Sequence, residues 1–320
     1  MTTPHSSTTP TQTVDSNTYH SSVENIDGNR VAYGDIYQPR RHAPHKNLDF
    51  TTSGKSVNNL FTYLVVADGH GPSRTALVTD YFRNLNWASF LEDPDFMEKI
   101  YSDVEALGNT RGMGSTLTIA IITKNQAEIY WVGDSQCRVY KNLEEVWASN
   151  DHGKNNASEM ERINIANQSG EISWRPKTVP AISPDWATKV LSPTEITMEL
   201  SPYFRFGPHD SINMTNSIGH NGLTGKYWDE HVIEFDDNTN WKIVIATDGF
   251  WGMTAYLDLP RIASPAEGPR ELLDLSNSRW TQTWKFYNVN EPKDNQTPQE
   301  LPFPYGQEDD TGIAVWYRGV

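Results

Sequence analysis

Leu64-Val65-Val66-Ala67-Asp68-Gly69-His70-Gly71 decides how the rest of the chain is read. Four apolar residues, two of them β-branched, make a short strand buried on both faces. The run stops on an acid, a glycine, a histidine and a second glycine. A carboxylate at the lip of a core is costly unless a turn, a cation or water receives it. Asp68-Gly69 by itself would also suit a hairpin turn. The next residues argue against a hairpin: Pro72 to Phe82 carries apolar residues at helical spacing, with no alternating return strand.

The same pattern recurs. Tyr130-Trp131-Val132-Gly133 runs into Asp134-Ser135, and Ile243-Val244-Ile245-Ala246-Thr247 runs into Asp248-Gly249. Farther on the order reverses, with Glu308-Asp309-Asp310 leading into Thr311-Gly312-Ile313-Ala314-Val315-Trp316. If these acid-tipped strands converge, like charges crowd together, which raises their pKa values and destabilises the fold. A bound divalent cation removes the conflict. Carboxylate and carbonyl oxygens with retained waters suit Mg²⁺ or Mn²⁺ rather than zinc.

A chain of 320 residues can bury a large core. Its net charge of −15 argues against a nucleic-acid binder. There is no apolar run long enough to span a bilayer, and the Ser/Thr-rich start does not read as a signal peptide. The single cysteine, Cys137, excludes an internal disulfide, fits a reducing compartment and reads as a buried thiol. The expectation is a monomer in the cytoplasm, with the nucleus as the alternative.

Residues 1–22 are Ser, Thr and Pro with almost nothing apolar and read as a disordered tail, so one domain is expected over 23–320. Arg30 and Asp35 stand five apart; on an extended segment they point to opposite faces unless a bulge or turn at Gly34 redirects one. Residues 38–57, with Arg40, Arg41, His42, His45 and Lys46, read as a polar loop, a phosphate-attracting patch being the alternative. Helices are predicted near 73–92 and 94–107. Strands from Thr116 to Thr123, up to Asp134, and through Arg138-Val139-Tyr140 read as an antiparallel meander. Asp151-His152 reads as a turn or a ligand pair, and Ser158 with Glu161 as the capping box of a helix over 158–168. The stretch 169–232, rich in Pro, Gly, Asn and Ser with exposed-looking Trp174, Trp186, Tyr203 and Phe204, reads as a long insertion or flap over the strand ends. Strands at 233–235 and 242–247, a helix over 264–286, a Pro-rich loop over 288–306 and a strand over 311–317 complete the chain.

Together these segments resemble the metal-dependent protein phosphatases, the PPM or type 2C family. The resemblance is carried by Val66-Ala67-Asp68-Gly69-His70-Gly71, Gly114-Ser115-Thr116, Val132-Gly133-Asp134-Ser135, Asp151-His152 through Glu161-Arg162-Ile163, Ala246-Thr247-Asp248-Gly249-Phe250-Trp251 and Asp309-Asp310-Thr311, in the family's order. It implies an α+β fold, a four-layer αββα sandwich of two antiparallel sheets flanked by helices. It further implies two Mg²⁺ or Mn²⁺ ions at one end, bridged by Asp68, with the Gly69 carbonyl as a further ligand and Asp35, Asp248 and Asp309 completing the spheres. Asp310 rivals Asp309. Arg30 matches the arginine that holds the substrate phosphate, and His70 the family's general acid.

The implied reaction is hydrolysis of phosphoserine or phosphothreonine in proteins by a water shared between the two ions. Some positions depart from the pattern. Gly34 stands where an acid is usual, and Asn216 and His220 stand where an arginine and an aspartate are common. Gly252 replaces the acid that would join Asp134 in holding a weaker third metal. These departures motivate an alternative: a pseudophosphatase that binds a phosphoprotein without turnover.

Overall fold

The apolar runs form the centres of two antiparallel sheets in the computed structural model. It describes residues 19–26, 28–36, 48–70, 77–108, 110, 112–182, 191–205, 211–220, 224, 226–288, 293–303 and 309–319. The basic residues Arg40 to Lys46, Gly71, Trp186 and most of the Ser/Thr-rich start therefore lie outside the described residues. One sheet has six strands in the order Tyr19–Ile26, Asn29–Ile36, Thr311–Arg318, Trp241–Ala246, Gln136–Lys141, Glu144–Ala148. The other has five, in the order Asp229–Glu234, Gln126–Val132, Leu117–Ile122, Thr62–Ala67, Phe50–Lys55.

Side-chain alternation divides each central strand between two cores. Leu64 and Val66 meet Ile243, Ile245, Val31 and Trp316 between the sheets. Val65 and Ala67 turn outward with Ile119 and Ile121, onto Phe82 of helix Leu77–Asn84 and Ile100 and Val104 of helix Phe96–Ala106. On the opposite side Val244, Ala246, Ile313 and Val315 pack on Ile262, Leu272 and Leu273 from helices Leu259–Ala263 and Pro269–Thr281. The result is the expected four-layer αββα sandwich. Fully burying each of these aliphatic side chains is worth about 1.5–3 kcal/mol, so both faces of the central strands have to be apolar.

Several local expectations are corrected. The strand Tyr19–Ile26 takes in Tyr19 to Ser22, assigned to the tail by composition; pairing with residues 33–36 holds them, not apolar content. The meander stops after two strands. Gly133, at φ +99°, turns the chain out of the five-stranded sheet, and Gln136–Lys141 joins the six-stranded one. The helix Ala157–Gln168 is capped by Asn156, whose side chain accepts from the Ser158 N–H, rather than by Ser158.

The stretch read as a flap holds two long paired strands, Ile172–Ile182 and Leu191–Arg205. With Thr283–Phe286 and Gln299–Pro302 they build a third, lateral sheet. Ile172–Ile182 is the edge strand, so Pro176 and Pro180 need not donate to a further neighbour. Trp174 is exposed as expected, but Phe204 is buried with Ile163, Ile172, Ile212 and Met214. The region 264–286 is likewise a helix, Pro269–Thr281, followed by a strand, and residues 299–302 of the supposed Pro-rich loop are paired.

Candidate metal and phosphate site

Each acid-tipped strand delivers its carboxylate to the same end of the sandwich. Asp68 follows Thr62–Ala67 and is clamped by the segment Gly114-Ser115-Thr116. Its N–H donates to Thr116 Oγ1 at 2.9 Å, and its carbonyl accepts from the Thr116 N–H at 2.9 Å, the Ser115 hydroxyl at 2.9 Å and His70 Nδ1 at 3.2 Å. On the other sheet, Thr247 donates its hydroxyl to Asp49 Oδ2 at 2.9 Å and accepts the Gly312 N–H at 2.9 Å. Asp248 opens the short helix Asp248–Trp251 immediately after. A Cβ on Gly249 would collide with the Asp310 carbonyl, so only glycine lets these two tips meet.

The carboxylates share one electrostatic field. Burial raises Asp68 well above the usual carboxylate range, and the charges of Asp49, Asp248, Asp309 and Asp134 raise it further. Asp49 is raised by burial and by Asp310, Asp309 and Asp248, against the Thr247 hydrogen bond. Asp134 is raised by burial, Asp248 and Asp151, against the positive charge of Lys177. Asp151, held by Gln136 at 2.8 Å, is pushed up to about 7, chiefly by burial.

The donor set fits hard divalent cations. Asp134 Oδ1, Asp151 Oδ1 and Asp248 Oδ1 are buried oxygens without a hydrogen-bond partner among the described residues. Such oxygens in mutual repulsion are what Mg²⁺ or Mn²⁺ relieves. No three His, Cys, Asp or Glu side chains among the described residues come together as a closed ligand cage.

The expected residues are not all brought together. Asp134, Asp248 and Asp309 act on Asp68, Asp309 also acts on Asp49, and His70 lies in the field of Asp248. Asp310 accepts the Leu48 N–H at 3.2 Å and raises Asp49 more than Asp309 does, whereas Asp309 is the one that acts on Asp68. Asp49, at the head of strand Phe50–Lys55, joins them, while Asp35 pairs with Gly312 and lies on the same face of its strand as Val31, toward the facing sheet. Asp49 is 1 % exposed and raised by Asp310, Asp309 and Asp248, whereas Asp35 is not among the charges that raise Asp49, Asp68 or Asp134 most.

Arg30 is not at the site. Strand Asn29–Ile36 runs unbulged against Thr311–Arg318, so the offset of five leaves Arg30 on the opposite face from Asp35. Arg30 instead donates to the Pro265 carbonyl at 3.4 Å, beside Gly268 at the start of the outer helix. His152 is not a ligand either. Its Nδ1 accepts the Gly133 N–H at 2.9 Å and its Nε2 lies 3.3 Å from Asp229, so it braces the bend that delivers Asp134.

Loss of solvent around the half-buried His70 ring lowers its pKa to about 4, against the Asp68 carbonyl and the Asp248 charge. The ring is neutral near pH 7, and its buried Nε2 has no hydrogen-bond partner among the described residues. It stacks on His220, centroids 4.7 Å apart. Asn216 is buried and donates to the Tyr227 carbonyl at 2.6 Å. Cys137 is buried in the inter-sheet core, and burial pushes its thiol up.

Comparison with known proteins agrees with this geometry. The family model for protein phosphatase 2C matches residues 45–177, which takes in Asp49, Asp68, His70 and Asp134 but begins after Arg30 and Asp35. "Probable protein phosphatase 2C 55" of Oryza sativa subsp. japonica is 27 % identical over 271 residues, covering 77 % of this chain and 61 % of its own length. "Probable protein phosphatase 2C 11" of Arabidopsis thaliana is 25 % identical over 227 residues, covering 65 % and 52 %. The chain thus spans under two thirds of these relatives. Among solved structures, a C. elegans sex determining protein superposes with a TM-score of 0.55 at 15 % identity, over 96 % of this chain and 66 % of that one. The S. agalactiae serine/threonine phosphatase gives 0.50 at 15 % identity, over 94 % and 100 %. These two likenesses bear on the fold alone. With sandwich, ordered motifs and clustered acids in agreement, the chain is similar to the protein phosphatase 2C, or PPM, family, and the family model matches it over residues 45–177.

Proposed function

We propose that this chain hydrolyses phosphoserine and phosphothreonine in proteins with the help of two Mg²⁺ or Mn²⁺ ions. The observation that carries the reading is the set of buried oxygens on Asp134, Asp151 and Asp248 that lack a hydrogen-bond partner among the described residues, beside Asp49, Asp68 and Asp134 raised by burial and by acids from both sheets. Such an arrangement costs stability and is explained by the cations it would hold. Asp68, the Gly69 carbonyl, Asp49, Asp248 and Asp309 are the proposed ligands. Bound there, the ions would supply an activated water and neutralise charge on the phosphoryl oxygens.

His70 handles the proton. Its Nδ1 is held on the Asp68 carbonyl, which leaves Nε2 as the basic atom. In the proposed cycle Nε2 takes a proton from the bound phosphate monoanion and gives it to the departing serine or threonine oxygen, so no proton is gained or lost. His70→Ala should therefore slow phosphopeptide hydrolysis by about 10²-fold or more. p-Nitrophenyl phosphate, whose leaving group needs no proton, should lose far less. Equal losses on both substrates would remove His70 from this role.

The reading as a whole is tested by release of phosphate from phosphopeptides with Mn²⁺, beside Asp68→Asn. Mn²⁺-dependent release abolished by the substitution is expected. Phosphopeptide binding with no release by either protein would favour the binding-only regulator.

A further inference from the structure

We propose that Lys177, on the lateral strand Ile172–Ile182, is a further phosphate-binding residue, whose ammonium holds the phosphoryl oxygens on the side away from the acids. The inference rests on the phosphatase reading and adds the cation that this reading lacks once Arg30 is found on the wrong face. Lys177 lies in the field of Asp248, Asp134 and Asp309, in that order of strength. Yet among the described residues no carboxylate oxygen lies within 4.0 Å of its Nζ, and the amine makes no hydrogen bond. Its cross-strand neighbour Glu199 does not neutralise it either, being taken up by Lys154 at 2.7 Å.

A half-buried ammonium facing three acids across a gap is an unusual arrangement. Burial alone would drive the amine toward neutrality; the acids outweigh it and keep the charge on. The gap is explained if an anion occupies it. Divalent ions on the acid side would make the space attractive to phosphate, and Lys177 would complete the clamp from the opposite side. Phosphoryl transfer spreads negative charge over the equatorial oxygens, so a fixed cation there binds substrate and stabilises the reaction's charge. Lysine serves as a point charge with three donors. The paired strands Ile172–Ile182 and Leu191–Arg205 then have a purpose at the site: they hold this amine in the field of those acids.

The test is calorimetric titration of inorganic phosphate into the full Mn²⁺-loaded chain, for the wild type, Lys177→Gln and Lys177→Arg. Steady-state kinetics on a phosphopeptide run alongside. Losing one charge-assisted contact should weaken phosphate binding by about tenfold or more and raise KM in parallel, with Mn²⁺ affinity unchanged or tighter. Lys177→Arg should recover most of the loss. Lys177→Met, which keeps the apolar stem, substitutes for the glutamine variant should that one fail to fold.

Phosphate affinity in either folded neutral variant within about twofold of wild type would overturn the proposal; so would a wild type that binds no phosphate. Turnover by wild type with unchanged phosphate binding in the variant would sink Lys177 and leave the phosphatase reading standing. Weakened phosphate binding in the variant with no wild-type turnover would do the reverse.

Discussion

Asp49 sits at the head of strand Phe50–Lys55, whose sequence Phe-Thr-Thr-Ser-Gly-Lys is weakly apolar. Asp68, Asp134 and Asp248 were legible because each ends a run of core residues that can be recognised by composition alone. Asp49 follows Lys46-Asn47-Leu48 and has no such run before it, so only the folded contacts with Thr247 and the neighbouring acids reveal it. Asp35, by contrast, lies inside strand Asn29–Ile36, one residue before its end. The two are separable by experiment. Asp49→Asn should reduce Mn²⁺-dependent turnover by more than about 100-fold, beyond the 10–100-fold typical of outer partners. Asp35→Asn should cost less, because Asp35 is not among the charges that raise Asp49, Asp68 or Asp134 most. The opposite ranking in phosphate-release assays would restore Asp35 as the ligand.

At the scale of elements, legibility followed the type of burial. Strands buried on both faces, such as Thr62–Ala67 and Trp241–Ala246, announce themselves as unbroken apolar runs. The lateral strands did not, because an edge strand can carry proline and leave Trp174 and Leu200 exposed. Which sheet a strand joins was also hidden: Gln136–Lys141 follows its predecessor closely but crosses to the facing sheet. The helix cap was hidden for a simpler reason, since Asn156 and Ser158 are both good caps by type. Asn156→Ala should lower the stability of helix Ala157–Gln168 by about 1 kcal/mol, and Ser158→Ala should cost clearly less. Urea denaturation of the two variants decides, and equal losses would contradict the cap geometry.

Over the whole molecule, two sheets with separate helical coats place their acid-tipped ends together, in a chain of net charge −15. The consequence for stability has a definite sign. Asp49, Asp68 and Asp134 have folded pKa values raised above the unfolded carboxylate range, and Asp151 reaches about 7. Between about pH 4 and those raised values the folded state holds more protons, so their contribution to stability falls as pH rises. Half-buried His70 and buried His152, with lowered pKa values, act oppositely below about pH 6.5, so the net melting curve mixes both effects. The gain in Tm on adding Mg²⁺ isolates the acids. It should be larger at pH 7.5 than at pH 5.5, and an equal gain at both would argue against ions held by these carboxylates.

That several strand tips, from both sheets, share a pair of divalent cations is tested most directly by anomalous diffraction from crystals soaked in Mn²⁺. The expected result is two strong peaks among Asp49, Asp68, Asp248 and Asp309. Peaks only elsewhere on the molecule, or none at these acids under saturating Mn²⁺, would contradict it.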